Sequence, residues 1–175
     1  NITAYTERDQ ARPARDAKVG MLPPKLAQIL INLCGPLPEG ARILDPFCGT
    51  GVVLQEAAIM GYLPYGTDLS ERMIEFSKKN LNWLFNERNS KRFKIKPELI
   101  LKKDAILDKL AVGDATTFQW EGQIDAVAFE SYLGAPMSKP PVDIKFKTEK
   151  AKCREIALGF LKNITPLIKS GTPIV

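Results

Sequence analysis

Short apolar runs alternate with segments of helical periodicity along this 175-residue chain. The predicted strands cover residues 41–45, 62–68, 97–103 and 124–129, and a fifth starts at Thr172. The predicted helices cover residues 21–33, 52–60, 71–86 and 147–169. Such alternation predicts an α/β fold, a doubly wound, mostly parallel sheet with helices on both faces, in which ligands bind at the carboxyl ends of the strands.

The helices carry boundary and burial signals of their own. Gly61 is expected to cap the carboxyl end of the second helix, and the Ser70 side chain to cap the amino end of the third. Five apolar residues at helical spacing in or beside the first helix are expected to face the core: Leu22, Leu26, Ile29, Leu30 and Leu33.

The composition restricts the chemistry. The chain contains no histidine, which excludes Ser-His-Asp and Cys-His catalysis and histidine metal ligands. Its three cysteines form no Cys-x-x-Cys pair, so we predict no metal site and a reducing compartment. Without an apolar run of about 18 residues or a signal peptide, the sequence favours the cytoplasm over a membrane. The net charge of +5 is a mild bias toward polyanionic partners.

A glycine-containing motif, Asp45-Pro46-Phe47-Cys48-Gly49-Thr50-Gly51, follows the first predicted strand. Glycines let the backbone approach a ligand, and the helix that follows offers free N–H groups to a carboxylate or phosphate. Leu54 stands where a dinucleotide fingerprint needs its third glycine, and the lysine of a P-loop is missing. A cationic ligand with its own carboxylate, such as a methionine that carries a sulfonium, fits the motif better.

Two further acids end predicted strands. Asp68 follows Asp45 by 23 residues, one strand-helix-strand unit later, where a carboxylate can accept both hydroxyls of a ribose. Asp104 ends the third predicted strand and could accept a hydrogen bond from an adenine amino group.

The motif, together with the segment Lys18-Val19-Gly20-Met21-Leu22-Pro23-Pro24, resembles the class I S-adenosylmethionine-dependent methyltransferases. Among them it is most similar to the RNA methylases that often follow a THUMP domain, whose characterised members are tRNA guanosine-N2 methyltransferases. The resemblance implies a Rossmann-like sheet with S-adenosylmethionine as cofactor. The cofactor-binding candidates are Asp45, Pro46, Phe47, Cys48, Gly49, Thr50, Gly51, Asp68, Leu69, Asp104 and Ala105.

The resemblance covers roughly residues 5–134 and is strongest from 18 to 68. It implies further strands after the fifth and an RNA-binding domain upstream. We therefore interpret residues 1–175 as a methyltransferase domain with a basic N-terminal segment, 1–20, truncated after the fifth strand.

At the end of the fourth predicted strand the chain departs from the family pattern. Members carry Asp or Asn-Pro-Pro-Tyr there, whereas this chain has Glu130-Ser131-Tyr132-Leu133. The resemblance implies that Glu130 orients the target amine and that Tyr132 stacks on the base. Two alternatives stay open: a catalytically silent module that binds the cofactor and RNA, or a methyltransferase that acts on DNA, protein or a small molecule.

Basic residues concentrate in three segments, 8–18, 88–103 and 139–154. We predict that these segments contact the phosphates of an RNA partner, most simply tRNA, since lysine and arginine supply the electrostatic part of nucleic-acid binding.

Overall fold

Four parallel strands form the centre of the fold in a computed structural model that describes residues 2–16, 21–134 and 143–175. The strands are β1 (Arg42–Asp45), β2 (Leu63–Asp68), β3 (Leu110–Val112) and β4 (Ala126–Val127). They lie in the order β3-β2-β1-β4, and every neighbouring pair is parallel. Ile174 forms a parallel bridge with Val127, so a fifth strand begins beside β4, as predicted.

Helices cover both faces of this sheet. They are α1 (Ile2–Gln10), α2 (Pro24–Leu33), α3 (Val52–Ile59), α4 (Glu71–Leu84), α5 (Glu87–Arg92), α6 (Pro97–Leu101), α7 (Lys103–Asp108) and α8 (Asp143–Ile164), which a 3₁₀ turn follows at Thr165–Leu167. Within the described residues, no helix is both long and apolar enough to cross a membrane.

Successive residues of β1 face opposite sides of the sheet. Ile43 packs with Ala27 and Ile31 of α2 and with residues of α3, whereas Leu44 packs with Phe160 and Ile164 of α8. Both strand residues are fully buried. This alternation is what a strand covered on both faces requires, and it confirms the predicted doubly wound α/β architecture.

The third strand is not where the sequence placed it. Residues 97–103 form α6 and the start of α7, because Pro97 occupies the first helical position, where its fixed φ favours a helix. The strand that pairs with β2 is the three-residue run Leu110–Val112. Asp104 and Ala105 therefore lie in the first turn of α7, and both side chains are exposed.

The predicted core face of α2 is also wrong in part. Leu26, Ile29 and Leu33 are 42–65% exposed, whereas Ala27 and Ile31 are buried. The side of α2 that packs against α3 carries Ala27, whose small side chain permits the close approach of the two helices.

The N-terminal basic segment is held by a buried ion pair. The Arg8 guanidinium donates to both carboxylate oxygens of Glu56 in α3, at 2.6 and 3.0 Å. Gln28 of α2 donates to the same carboxylate at 2.7 Å and accepts a hydrogen bond from the Tyr5 hydroxyl. Burial raises the pKa of Glu56, and the hydrogen bond and charge of Arg8 oppose that shift.

Arg12 is also buried, with 3% of its surface exposed. Two of its N–H groups, Nε and Nη1, have no hydrogen-bond partner, and burial lowers the pKa of its guanidinium. Of the arginines in segment 8–18, only Arg15 is exposed within the described part of the chain. Arg8 and Arg12 are therefore not available to phosphates, and the predicted RNA contact of this segment rests on Arg15 and on Lys18, which lies outside the described residues.

We expect Arg8→Ala to lower the free energy of unfolding by about 3 kcal/mol, because it leaves the buried Glu56 carboxylate without its cation. Lys91→Ala is the matched control, since it removes an exposed pair with Glu87 and should leave the free energy of unfolding nearly unchanged. Urea unfolding followed by circular dichroism measures both changes. Equal losses in the two variants would contradict the role assigned to the buried pair.

Candidate functional site

The loop between β1 and α3 lies at the carboxyl edge of the sheet, beside the point where strand order reverses between β1 and β4. In doubly wound sheets this switch point opens the crevice that ligands occupy. Gly49 and Gly51 have φ angles of +50° and +80°, a left-handed conformation that favours glycine. The loop therefore turns tightly and brings its backbone to this crevice.

Two polar side chains of α4 fix the path of the glycine loop. The Ser77 hydroxyl donates to the Gly49 carbonyl at 2.8 Å, and the Asn80 amide donates to the Thr50 carbonyl at 2.8 Å. Asn80 also donates to the Ala14 carbonyl and accepts from the Ala14 N–H, at 2.9 and 3.0 Å. Asn80 thus joins the glycine loop to the N-terminal segment.

Three predicted residues of the loop face inward. Pro46, Cys48 and Thr50 are buried, and the Pro46 carbonyl accepts from the Thr67 hydroxyl. Burial raises the pKa of the Cys48 thiol well above its ordinary value, with smaller contributions from the charges of Asp45 and Asp68, so the thiol stays neutral. These side chains hold the loop in place and leave its backbone for a ligand.

Phe47 packs into an aromatic cluster on the α8 side of the sheet. Its ring centroid lies 5.5 Å from that of Phe129, at the end of the fourth strand, and 5.7 Å from that of Phe160 in α8. The last two rings are 5.1 Å apart and nearly perpendicular. This cluster connects the glycine loop to the chain segment that carries Glu130.

Asp45 is the deepest acid of the site, with 3% of its surface exposed. Its Oδ1 accepts the Phe47 N–H at 3.0 Å. Burial raises the pKa of Asp45 well above its ordinary value; the hydrogen bond from Phe47 opposes this shift, and the negative charges of Asp68 and Glu130 increase it. The negative charges of Asp68, at the end of β2, and of Glu130, after β4, therefore act on the Asp45 carboxyl group at the same edge of the sheet.

Asp68 is held by the backbone around it. Its Oδ2 accepts the Gly49 N–H and its Oδ1 accepts the Ser70 N–H, both at 2.9 Å. The Ser70 side chain makes no capping hydrogen bond, so the predicted serine cap is wrong. Each Asp68 oxygen keeps a second lone pair for a ligand, and the next residue, Leu69, is 73% exposed.

Asp114, rather than Asp104, is the acid that follows β3. The Gly113 N–H donates to the Asp68 carbonyl at 2.9 Å, which places Asp114 beside the end of β2. Hydrogen bonds from the Thr116 side chain and backbone lower the pKa of Asp114. The sequence contains a signal for this acid, because Gly113-Asp114 follows the apolar run 110–112 just as acids end the first two strands.

The two predicted catalytic residues face different neighbours. Glu130 is exposed and lies close enough to Asp45 for its charge to act on that carboxyl group. The Tyr132 hydroxyl donates to Glu149 of α8 at 3.4 Å, and the Lys152 ammonium lies 5.0 Å from the Tyr132 ring centroid. Tyr132 therefore contacts α8, which the sequence did not reveal.

The strand order, the glycine loop after β1 and the acids at the strand ends are those of a Rossmann-like, doubly wound α/β fold. An rRNA methyltransferase, aviRa from Streptomyces viridochromogenes, has the same architecture, with a TM-score of 0.56 at 14% identity over 94% of this chain and 77% of that one. The predicted Rossmann-like fold is confirmed.

Residues 12–94, just under half of the chain, match the family described as UPF0020, RMKL-like, methyltransferase domain. The resemblance predicted from the sequence is thereby confirmed. The chain is 47% identical over 75 residues to a tRNA (guanine(10)-N2)-dimethyltransferase of Methanothermobacter thermautotrophicus, which is 42% of this chain and 22% of that protein. It is also 47% identical over 62 residues to the enzyme of the same name from Pyrococcus abyssi, which is 35% of this chain and 18% of that protein. The matches thus span about a fifth of these relatives' lengths.

We expect Gly51→Ala to lower the free energy of unfolding by about 2–4 kcal/mol. The new Cβ would need the left-handed conformation and would lie 2.8 Å from the Ser77 hydroxyl oxygen. Gly35→Ala is the matched control, because Gly35 has φ +85° but no atom within 4 Å of the added carbon. It should cost about 1 kcal/mol. Urea unfolding of both variants separates backbone strain from the Ser77 contact, and equal losses would show that this contact is unimportant.

Proposed function

We propose that this chain is the catalytic domain of an S-adenosylmethionine-dependent RNA methyltransferase that methylates an exocyclic base amine, such as guanosine N2 in tRNA. The observation that carries the proposal is the convergence of Asp45, Asp68 and Glu130 beside the glycine loop. The charges resolved at the buried Asp45 carboxyl group are both negative. A cationic ligand would relieve this repulsion.

The residues present fit this cofactor. Asp45 would face its positively charged portion, and Asp68 would accept the ribose hydroxyls with its remaining lone pairs. The amino end of α3, directly after Gly51, would offer backbone N–H groups to the carboxylate. Leu69 would contact the adenine ring, and Asp114 takes the adenine-binding role that the sequence assigned to Asp104.

When bound, the cofactor supplies an electrophilic methyl group on a sulfonium. Glu130 would accept a hydrogen bond from the target amine and hold its nitrogen in line with that methyl group. Glu130 or water would take the proton that the amine loses when the methyl group is transferred to its nitrogen. This reaction needs orientation and a proton acceptor and no histidine, in agreement with the composition.

The relatives named above support RNA as the substrate, and tRNA modification would place the protein in the cytoplasm. A second function is a module that binds the cofactor and RNA without catalysis. The position of Tyr132 favours it, because a ring held by Glu149 and Lys152 of α8 is turned toward the helix.

We expect Asp45→Asn to stabilise the ligand-free protein while weakening cofactor binding at least tenfold. A carboxyl group whose pKa is raised on folding destabilises the native state as the pH rises past the pKa of the unfolded chain, so the neutral amide should raise the free energy of unfolding at neutral pH. Urea unfolding measures the gain, and calorimetric titration with S-adenosylmethionine measures the loss. A variant that binds the cofactor like the wild type would remove Asp45 from the site.

The affinity of the wild type for S-adenosylmethionine should increase as the pH rises past the pKa of Asp45, which burial raises. The cation prefers the ionised carboxylate, so binding displaces the proton and becomes weaker as the pH falls below that pKa. Calorimetric titrations from pH 5 to pH 8 measure the trend. Asp45→Asn is the control, because the part of the pH dependence that comes from Asp45 should be lost in this variant. The same pH trend in wild type and variant would assign it to another group.

We expect Glu130→Gln to reduce methyl transfer into bulk tRNA by about a hundredfold, because the amide cannot accept a proton from the amine. Cofactor affinity should stay within a few-fold of the wild type. Transfer of a labelled methyl group measures the first quantity and calorimetry the second. Glu98→Gln, at an exposed acid of α6, is the control and should transfer normally.

Three outcomes are distinguishable. A wild type that is folded and binds the cofactor but transfers nothing to tRNA would support the silent module. Transfer to protein or a small molecule without RNA would contradict the RNA substrate. Absence of cofactor binding in the folded whole protein would contradict the proposed function altogether.

A further inference from the structure

The amino-terminal half of α8 borders the candidate site. Glu149 accepts the hydrogen bond from Tyr132, and a Cβ at Gly134 would lie 3.8 Å from the Cys153 sulfur. Because α8 connects the carboxyl end of β4 to the amino end of the next parallel strand, it runs from the site toward the opposite edge of the sheet. The α8 residues that contact this segment lie on the same side of the helix as the buried Phe160 and Ile164.

One face of α8 is basic and exposed. Lys147, Lys150, Arg154 and Lys162 recur at helical spacing, and they line a shallow groove together with Leu158 and Glu155. We call these four cations the basic stripe. At 1.5 Å per residue the stripe extends about 22 Å along the helix axis. Among the described residues, none of the four forms a salt bridge, whereas Lys91, Arg92 and Lys96 each do.

Segment 88–103 lies elsewhere and is partly neutralised. Lys91 pairs with Glu87, Arg92 with Glu7 and Lys96 with Glu39. Glu39 precedes β1, so the Lys96 pair lies at the amino edge of the sheet, opposite the candidate site. In segment 8–18, Arg8 and Arg12 are buried. Of the three basic segments, the part carried by α8 places three exposed cations on one helix face, and Lys162 extends that face.

We propose that the basic stripe of α8 binds the phosphate backbone of the RNA substrate. This inference rests on the proposed function. The ammonium and guanidinium groups would contact successive phosphates electrostatically, without reading the base sequence. The contacts therefore govern affinity and its dependence on salt rather than the choice of base.

The test compares two triple variants of the whole protein that remove the same charge. The stripe variant is Lys147→Ala, Lys150→Ala, Arg154→Ala, and the control variant is Arg88→Ala, Lys102→Ala, Lys103→Ala. Both affect side chains outside the buried core. The probe is bulk tRNA, titrated at several salt concentrations, and S-adenosylmethionine affinity is measured separately by calorimetry.

The stripe variant should bind tRNA at least tenfold more weakly, and the slope of log affinity against log salt should become shallower by about two to three, one for each lost contact. The control variant should bind within about threefold of the wild type. Both should keep the wild-type cofactor affinity, which shows that the fold and the site are intact.

Equal tRNA affinity and salt slope in the wild type and the stripe variant would overturn the proposal. So would an equal loss in both triple variants, because it would show an effect of net charge alone. An affinity of the stripe for an acidic protein, with no change in tRNA binding, would also overturn it. Failure of the wild type to bind the cofactor, with the stripe still required for tRNA, would count against the proposed function and leave the stripe supported.

Discussion

The candidate site depends on the attachment of the glycine loop to α4. Gly49 and Gly51 permit a left-handed path, but the Ser77 and Asn80 side chains select one path by donating to the loop carbonyls. The absence of a Cβ at Gly51 lets the Ser77 hydroxyl approach this closely. Asp68 completes the attachment by accepting the Gly49 N–H. The same hydrogen bonds that fix the loop therefore fix the carboxylate at the end of β2.

The burial of Asp45 is costly in the ligand-free protein. A buried carboxylate with two acids nearby lowers stability unless a cation or a proton compensates it. The fold tolerates this cost at the crevice where a doubly wound sheet binds ligands, while Glu56, another buried acid, has Arg8 and Gln28 as partners. Both carboxylates are buried, but Arg8 compensates the negative charge of Glu56, whereas the charges near Asp45 are the negative charges of Asp68 and Glu130. That contrast separates a structural carboxylate from one available to a ligand.

The sequence predicts the parts of this fold that depend on local signals. The first two strands, the glycine turn and the C-terminal cap at Gly61 follow from short-range pattern, and the structure has them. The third strand depends on pairing with β2, which a three-residue run does not reveal. The apolar run 99–101 has the same length, but it is followed by charged residues and is helical. Because the third strand was predicted in the wrong place, the acid expected at its end was Asp104, whereas the structure has Asp114 there.

Two sequence signals for the missed residues existed. Ser77 and Asn80 continue the core-facing stripe of α4 formed by Met73, Ile74 and Leu81, and a polar residue on such a stripe needs a buried partner. Glu56 lies in a helix whose residues 52–58 are all buried, which requires a buried counter-charge. Arg8 supplies it, and this requirement explains why an N-terminal arginine that resembles a phosphate ligand is part of the interior instead.

The basic stripe of α8 and the acids around Asp45 act over different distances. At physiological salt, exposed charges are screened within about 8 Å, so the basic stripe can attract a polyanion only where the two surfaces meet. Asp45 is buried and is screened far less. An RNA that approached Glu130 in the absence of a cation would meet the uncompensated acids, whereas a bound sulfonium and ammonium would neutralise them first. Under the proposed function, cofactor binding therefore lowers the electrostatic cost of RNA binding at this edge of the sheet. The basic stripe attracts the RNA on α8, away from the acids around Asp45.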